Sequence, residues 1–245
     1  MNPAEKSKFI SNWIKDYVEQ MPNKAESLII GISGGIDSSV SSTLSAMTGL
    51  RTIVLSMPIK QKSIQHDLSL AHKEWLKKNY KNVEGHTIEL DGLFKSFEGT
   101  LNNFSNEHGM ANSRARLRMT TLYQVAAANK GIVVGTGNKV EDFGVGFYTK
   151  YGDGGVDISP IADCNKTEVW ELGKELGILE EIINAAPTDG LWDDGRTDEG
   201  QLGLSYKELE EAMNNENSVN REKYNSIRNA NLHKMEPIPV CKIPN

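Results

Sequence analysis

What this sequence lacks narrows its reading early. Its 245 residues contain no apolar run approaching the length of a membrane span. The opening segment, Met1-Asn2-Pro3-Ala4-Glu5-Lys6, leads into an amphipathic stretch with no signal-peptide core. Cysteine occurs only twice, at Cys164 and Cys241, without metal-ligand spacing, which points to a reduced, cytoplasmic setting. Basic residues are not in excess: 27 Lys and Arg stand against 33 Asp and Glu, a net charge of −6. That balance argues against a general nucleic-acid binder while leaving room for a local basic pocket that holds a small anion. There is no internal repeat and no low-complexity tract. The lysine-bearing Walker loop, G-x-x-x-x-G-K-[ST], is also missing.

What remains is a soluble globular chain, 24% charged, long enough for one good core and read as one domain over residues 1–245. Residues from about 4 to 20 read as a helix, with Phe9, Ile10, Trp13, Ile14, Tyr17 and Val18 at helical spacing. Strand-like runs follow at Ser27–Ile32, Thr52–Met57, Val83–Glu89 and Ile132–Gly135. Between them the pattern predicts helices over Asp37–Met47, Ser63–Asn79, Gly92–Phe104 and Ala111–Asn129, with two more at Lys166–Leu176 and Tyr206–Asn214. Alternation of this kind predicts an α/β fold, a doubly wound, mostly parallel, Rossmann-like sheet with helices on both faces. Ligands of such sheets sit at the carboxyl ends of the strands. The polar, glycine-bearing stretch Asp189–Gln201 reads as a loop that serves as a lid.

The strongest chemical signal is Ser33-Gly34-Gly35-Ile36-Asp37-Ser38-Ser39, directly behind the apolar run Leu28-Ile29-Ile30-Gly31-Ile32. A strand runs into a small-residue loop that opens a helix. Glycine lets backbone approach a ligand closely, and amides at a helix start face an anion with the favourable end of the helix dipole. Three serine hydroxyls add donors, and Asp37 adds a carboxylate able to hold Mg²⁺ against phosphates. An ordinary strand-to-helix turn also uses Ser and Gly; the whole string in this context favours the phosphate cradle.

Four further strings carry weaker signals. In Asn112-Ser113-Arg114-Ala115-Arg116-Leu117-Arg118-Met119, Arg114 and Arg118 are helical neighbours and Arg116 points elsewhere. Taken alone this is a solvated basic face; Arg116 and Arg118 also suit bidentate capture of phosphate. Gly135-Thr136-Gly137-Asn138-Lys139-Val140-Glu141 reads as a helix cap that also offers a hydroxyl and a carboxylate to the first loop. The turn from Phe147 to Asp157 carries Lys150, Asp153 and Asp157. Asn165-Lys166-Thr167-Glu168 reads first as a helix start, with Lys166 also able to reach phosphates.

The cradle resembles the pyrophosphate loop of the N-type ATP pyrophosphatases. Taken in order with Asn112–Met119, Gly135-Thr136…Glu141, Thr149–Gly155, Pro187-Thr188, Asp198-Glu199…Tyr206 and His233-Lys234, it is similar to ammonia-dependent NAD synthetase over nearly the whole chain. The resemblance implies an adenine nucleotide α-hydrolase-like fold. It implies ATP contacts at Gly31, Ile32, Ser33, Gly34, Gly35, Ile36, Asp37, Ser38, Thr136, Lys166 and Thr188. Mg²⁺ would be held by Asp37 and Glu141, and deamido-NAD⁺ by Arg116, Lys150, Asp157, His233 and Lys234. Asp153 would position ammonia, beside Asp37 and Lys166 as catalytic groups. One extra residue after Glu141, relative to many family members, leaves Asp142 as a second candidate ligand; the spacing from Thr136 favours Glu141.

The implied reaction is ATP-dependent amidation of deamido-NAD⁺ through an NAD-adenylate, releasing AMP and pyrophosphate, the last step of NAD⁺ biosynthesis. The chain has no room for a glutaminase domain, so free ammonia is the expected donor. The family works as a homodimer, for which Leu117, Leu122 and Val125 beside Arg116 are the candidate contacts. GMP synthetase, a tRNA thiolase or lysidine synthase, and a non-catalytic nucleotide sensor are the competing expectations. The acidic balance fits a tRNA surface poorly, and Asp37, Glu141, Lys150 and Asp157 together fit a sensor poorly.

Overall fold

The computed structural model describes residues 1–61, 63–188, 190–192 and 196–244. Four strands, β1 (Ser27–Gly31), β2 (Thr52–Ser56), β3 (Val83–Thr87) and β4 (Gly131–Val133), form one sheet in the order β3-β2-β1-β4. Every neighbouring pair is parallel, with Leu28 opposite Thr52 on one side and Ile132 on the other. The helices are α1 (Pro3–Gln20), α2 (Ile36–Met47), α3 (Ser63–Asn79), α4 (Asp91–Thr100), α5 (Glu107–Ala128), α6 (Lys166–Glu175), α7 (Glu180–Ile183), α8 (Asp198–Leu202), α9 (Tyr206–Asn214) and α10 (Arg221–Met235).

The sheet is covered on both faces because β1 is apolar at every inward position. Leu28 and Ile30 pack with Ile14 of α1, Val40 of α2 and Val169 of α6, whereas Ile29 turns to the opposite face and packs with Phe94, Met119 and Leu122 of α4 and α5. The chain winds outward through β2 and β3, then returns by α4 and α5 to lay β4 on the far side of β1. Strand order therefore reverses between β1 and β4, and the crevice beyond their carboxyl ends is where such sheets take ligands. A third cluster, with Leu202, Tyr206, Leu209 and Tyr224, packs α8 to α10 against Val140 and Val145 at that same end.

Helix ends follow their local chemistry. Asn2 and Glu5 form a capping box on α1 with Pro3 in its first turn, and at the start of α6 the Glu168 carboxylate accepts from the Asn165 amide at 2.8 Å. Asn106 starts α5 four residues ahead of the predicted Ala111 by accepting from the Gly109 amide. The predicted Gly92–Phe104 helix is α4 followed by a separate 3₁₀ turn over Asn102–Phe104. Two further differences matter for function. Where a simple cap was expected after Gly135, the chain makes a π turn over Lys139–Val145, entered through the buried Asn138. Of the expected Asp189–Gln201 loop, residues 189 and 193–195 lie outside the described residues, and its carboxyl end is helical, being α8 capped by Thr197.

The candidate dimer contacts need correction. Leu122 is buried against Ile29 and within 3.6 Å of where a Cβ on Gly31 would lie, and Leu117 and Val125 pack half-buried on the same core. The exposed face of α5 carries Arg116, Thr120, Tyr123 and Gln124 instead. Among the described residues no helix is long and apolar enough to cross a membrane.

Candidate active site

The cradle sits at the carboxyl end of β1. Gly34 adopts φ +89°, and a Cβ there would stand 2.5 Å from the Gln65 carbonyl oxygen, so only glycine fits both the backbone and the neighbour. The N-cap of α2 is Gly35, which has no side chain to cap the helix. The loop's serines bond to its own backbone: Ser38 Oγ accepts from the Ser33 amide at 3.2 Å and donates to the Gly35 carbonyl at 3.0 Å, while Ser33 Oγ accepts from the Gly35 amide at 3.2 Å. These internal bonds fix the shape of the loop at the start of α2, where an anion would be favoured by the helix dipole.

One cavity runs from this loop across the ends of β1 and β4. It is lined by all of Gly31 to Ser38 and by Thr136, Glu141, Asp153, Lys166 and Thr188. Every predicted ATP and metal position therefore shares one space, and Asp142, Asp198 and Arg118 line it too. Thr188 is reached by the Gln65 side-chain amide, and Gln61 Nε2 donates to the Ser33 carbonyl at 3.2 Å. Close packing fixes Lys166 against the cradle: a Cβ on Gly173 would stand 2.5 Å from Ile36 Cδ1, so α6 lies directly on the start of α2.

At the floor of the cavity is a compact charged cluster. Lys166 Nζ donates to Asp37 Oδ2 at 2.6 Å and to Glu141 Oε1 at 2.8 Å, with Lys166 itself 1% exposed. Asn138, fully buried, ties the two carboxylates to one frame. Its Nδ2 donates to Asp37 Oδ1 at 3.0 Å, and its Oδ1 accepts from the Val140 and Glu141 amides at the start of the π turn. Tyr206 closes the far side, its hydroxyl 2.5 Å from Glu141 Oε1 and 3.2 Å from Asp198 Oδ2, and its ring 4.7 Å from Lys166 Nζ. Asp142 packs elsewhere, against Gly137, where a Cβ would fall 1.8 Å from its carboxylate.

The charge balance follows from these contacts. Burial pushes the Asp37 carboxyl up against the pull of Lys166, and the Glu141 charge adds to that rise. Burial opposes ionisation of Glu141 as well, but the Lys166 ammonium and the Tyr206 hydroxyl hold it below the usual carboxylate range. Burial works against the Lys166 charge, yet Asp37 and Glu141 together raise its pKa above that of a free lysine. Asp142 is raised well above an ordinary aspartate by burial and by the nearby Asp153, Glu141 and Asp37.

The residues expected to bind the larger substrate form a different region. Arg116 Nε donates to the Lys150 carbonyl at 3.2 Å, Lys150 Nζ donates to the His233 carbonyl at 3.0 Å, and Lys234 Nζ donates to the Tyr148 carbonyl at 2.8 Å. These four are brought together where α5, the Thr149–Gly155 turn and the end of α10 meet, and none of them lines the cavity. Asp157 stands apart on the exposed edge of β4, accepting from Tyr123 Oη at 3.0 Å and from the Val133 amide at 2.7 Å. Asp153 joins the two regions: it lines the cavity, and its Oδ1 accepts from the Thr149 amide at 3.0 Å.

Three arginines that look alike in sequence separate here. Arg114 is buried, its guanidinium over Phe94 at 5.1 Å and donating to the Leu191 carbonyl at 2.9 Å; Arg118 lines the cavity; Arg116 is exposed. Sequence reasoning assigned no role to Asn138, Tyr206 or Asp198. The Asn138 signal was present as a cap residue two and three positions ahead of the amides it accepts from. Tyr206 acts on a residue 65 positions away, which no local pattern reports.

A glycine–serine cradle at the switch point of a parallel sheet, opposite a lysine–carboxylate cluster, defines an ATP-using α/β enzyme. The sequence profile of the NAD synthase family matches residues 7–241. An NH(3)-dependent NAD(+) synthetase from Carboxydothermus hydrogenoformans is 36% identical over 86% of this chain and 85% of its own. Among solved structures, NMN synthetase from Francisella tularensis is 34% identical, with a TM-score of 0.89 over 99% of this chain and all of that one. The NH3-dependent NAD synthetase from Campylobacter jejuni, at 23% identity and a TM-score of 0.79 over the same shares, has the same fold. The chain belongs to the NAD synthase family.

Proposed function

We propose that this chain amidates the nicotinate carboxylate of deamido-NAD⁺ with ammonia, using ATP to activate it, and so makes NAD⁺. The observation that carries the reading is the cavity itself, in which a phosphate cradle faces Asp37, Glu141 and Lys166 in a chain matched to the family over residues 7–241. A carboxylate oxygen is a poor leaving group and AMP a good one, so the carboxylate first attacks the α-phosphorus of ATP and pyrophosphate departs. Ammonia then adds to the acyl carbon and AMP leaves. Gly31 to Ser38 hold the phosphates in line, and Thr136, Thr188 and Lys166 bind the rest of the nucleotide.

Mg²⁺ fits the donor set, because Asp37 and Glu141 already converge on a single cation and magnesium takes one or two carboxylates together with phosphate oxygens. When bound there by Asp37 and Glu141, it supplies charge neutralisation for the departing pyrophosphate. Asp153, at the junction of cavity and surface, is placed to orient ammonia. Arg116, Lys150, Asp157, His233 and Lys234 hold the dinucleotide. Their position on an open face supports a homodimer in which a second copy covers α5; Leu93, Phe97, Phe104 and Tyr123, all exposed, lie on α4, α5 and the turn between them. The chain works as one domain, with free ammonia, in the cytoplasm.

A second reading follows from the NMN synthetase neighbour, which at 34% identity is more than a likeness of fold. The five residues expected to hold the dinucleotide lie outside the cavity that holds the phosphate cradle. A mononucleotide, nicotinate ribotide, would need only the cavity and the turn beside it. Turnover of each compound with ATP, Mg²⁺ and ammonium, compared as kcat/KM, decides between them. Deamido-NAD⁺ preferred by tenfold or more upholds the first reading; the mononucleotide preferred by that factor replaces it; formation of ADP in place of AMP defeats both.

A further inference from the structure

Lys166 occupies an unusual place for a residue expected to grip phosphate. Its ammonium lies between the two carboxylates, at 2.6 Å from Asp37 and 2.8 Å from Glu141, and is walled by the rings of Tyr206 at 4.7 Å and Trp170 at 5.9 Å. The side chain is 1% exposed, and its helix is locked on α2 through Gly173. Asp37 and Glu141 are themselves positioned by Asn138 and Tyr206. Two negative charges, one positive charge and two aromatic faces make a cation site that is already filled by the protein's own cation.

This arrangement has a consequence for how metal enters, and it rests on the reading that Asp37 and Glu141 are metal ligands. A divalent ion arriving alone would have to part the ammonium from both carboxylates and leave it beside the Tyr206 and Trp170 rings with no anionic partner. An unpartnered buried charge is strongly unfavourable, and magnesium surrenders its water reluctantly. A triphosphate in the cradle changes the balance, because its oxygens give the ammonium a new partner on the open side of the pair. We propose that Lys166 is the resident cation of the Asp37–Glu141 pair, and that a divalent metal binds this pair only together with a nucleoside triphosphate that draws the lysine to its phosphates. Metal and nucleotide then strengthen each other's binding by the same factor, since such coupling is reciprocal.

Mn²⁺ binding, followed by electron paramagnetic resonance on the full chain without turnover, tests this. Wild-type protein alone should hold Mn²⁺ at least tenfold more weakly than Lys166→Met alone, and addition of α,β-methylene-ATP should bring wild type to a tight, saturable site. Lys166→Gln, which keeps an amide donor between the carboxylates, provides a second neutral variant if Lys166→Met folds poorly. Calorimetry with Mg²⁺ on wild type, with and without the analogue, requires no variant. Wild type that binds Mn²⁺ alone as tightly as either neutral variant, or a calorimetric Mg²⁺ affinity unchanged by the analogue, overturns the inference. Asp37→Asn separates this from the underlying assignment. If metal bound with the analogue is unaffected by Asp37→Asn, the ligand assignment fails, and the inference with it. If metal binds wild type alone and Asp37→Asn abolishes that binding, the assignment stands and only the inference falls.

Discussion

The floor of the cavity and the face above it are built on opposite terms. On the floor, Lys166, Asn138 and Tyr206 are buried and hold the partly exposed Asp37 and Glu141 at distances between 2.5 and 3.1 Å. On the face, Arg116, Lys150 and Lys234 donate to backbone carbonyls at the surface, and His233 and Asp157 are exposed. The first region is preorganised within one chain, as electrostatic catalysis needs, because donors already in place require no rearrangement when charge develops. The second has its cations set at the end of α10, on α5 and on a glycine turn, three elements that a ligand or a second copy can cover. Under the proposed function, chemistry belongs to the floor and choice of substrate to the face, and the two can be perturbed separately.

The largest expected effect is on the floor. Asp37→Asn should lower kcat by roughly a thousandfold, the scale of losing a preorganised charge at a reacting centre, while leaving the dinucleotide KM within a few-fold of wild type. A comparable rise in KM would erase the distinction between the regions. Beneath the floor, a second expectation concerns acid. His72 is fully buried, its Nε2 2.9 Å from Ser42 Oγ on α2 and its ring stacked on Trp75. Burial lowers its pKa from 6.5 to about 4. The neutral ring therefore contributes stability that is complete above pH 6.5 and lost as pH falls toward 4, by about 3 kcal/mol. Urea unfolding across that range should show a flatter pH dependence for His72→Gln; parallel curves would remove His72 from the account.

The smallest effect belongs to the face. Arg116→Ala should raise the KM for the dinucleotide about tenfold with kcat little changed, the cost of one surface guanidinium contact. Steady-state kinetics check this directly. If a mononucleotide substrate is untouched by the same change, the face serves only the distal half of the dinucleotide.

Legibility in the sequence divides along the same line. The cradle could be read because its chemistry is contiguous: strand, glycines, serines and Asp37 fall within a dozen residues. The sheet could be read from the apolar runs, with strand ends displaced by one or two positions. Asn138, Tyr206 and Asp198 lie in the motifs that carry the resemblance, but their contacts are not legible there because they are made across the fold, Asn138 reaching Asp37 over 101 positions and Tyr206 reaching Glu141 over 65. The π turn escaped for a related reason. Its wide coil is set by the buried Asn138, by Gly144 and by α10, whose Tyr224 hydroxyl donates to the Gly144 carbonyl at 3.1 Å. Lys166 was read as a phosphate ligand from its family position, and only the fold reveals the two carboxylates that hold it first.

The measurement that tests the central claim most directly is exchange of labelled pyrophosphate into ATP, with the nicotinate substrate and Mg²⁺ present and ammonia absent. Activation at the α-phosphorus predicts exchange that requires the nicotinate compound and disappears in Asp37→Asn. An enzyme that turns over when ammonia is added, yet shows no exchange and yields ADP, would contradict the account.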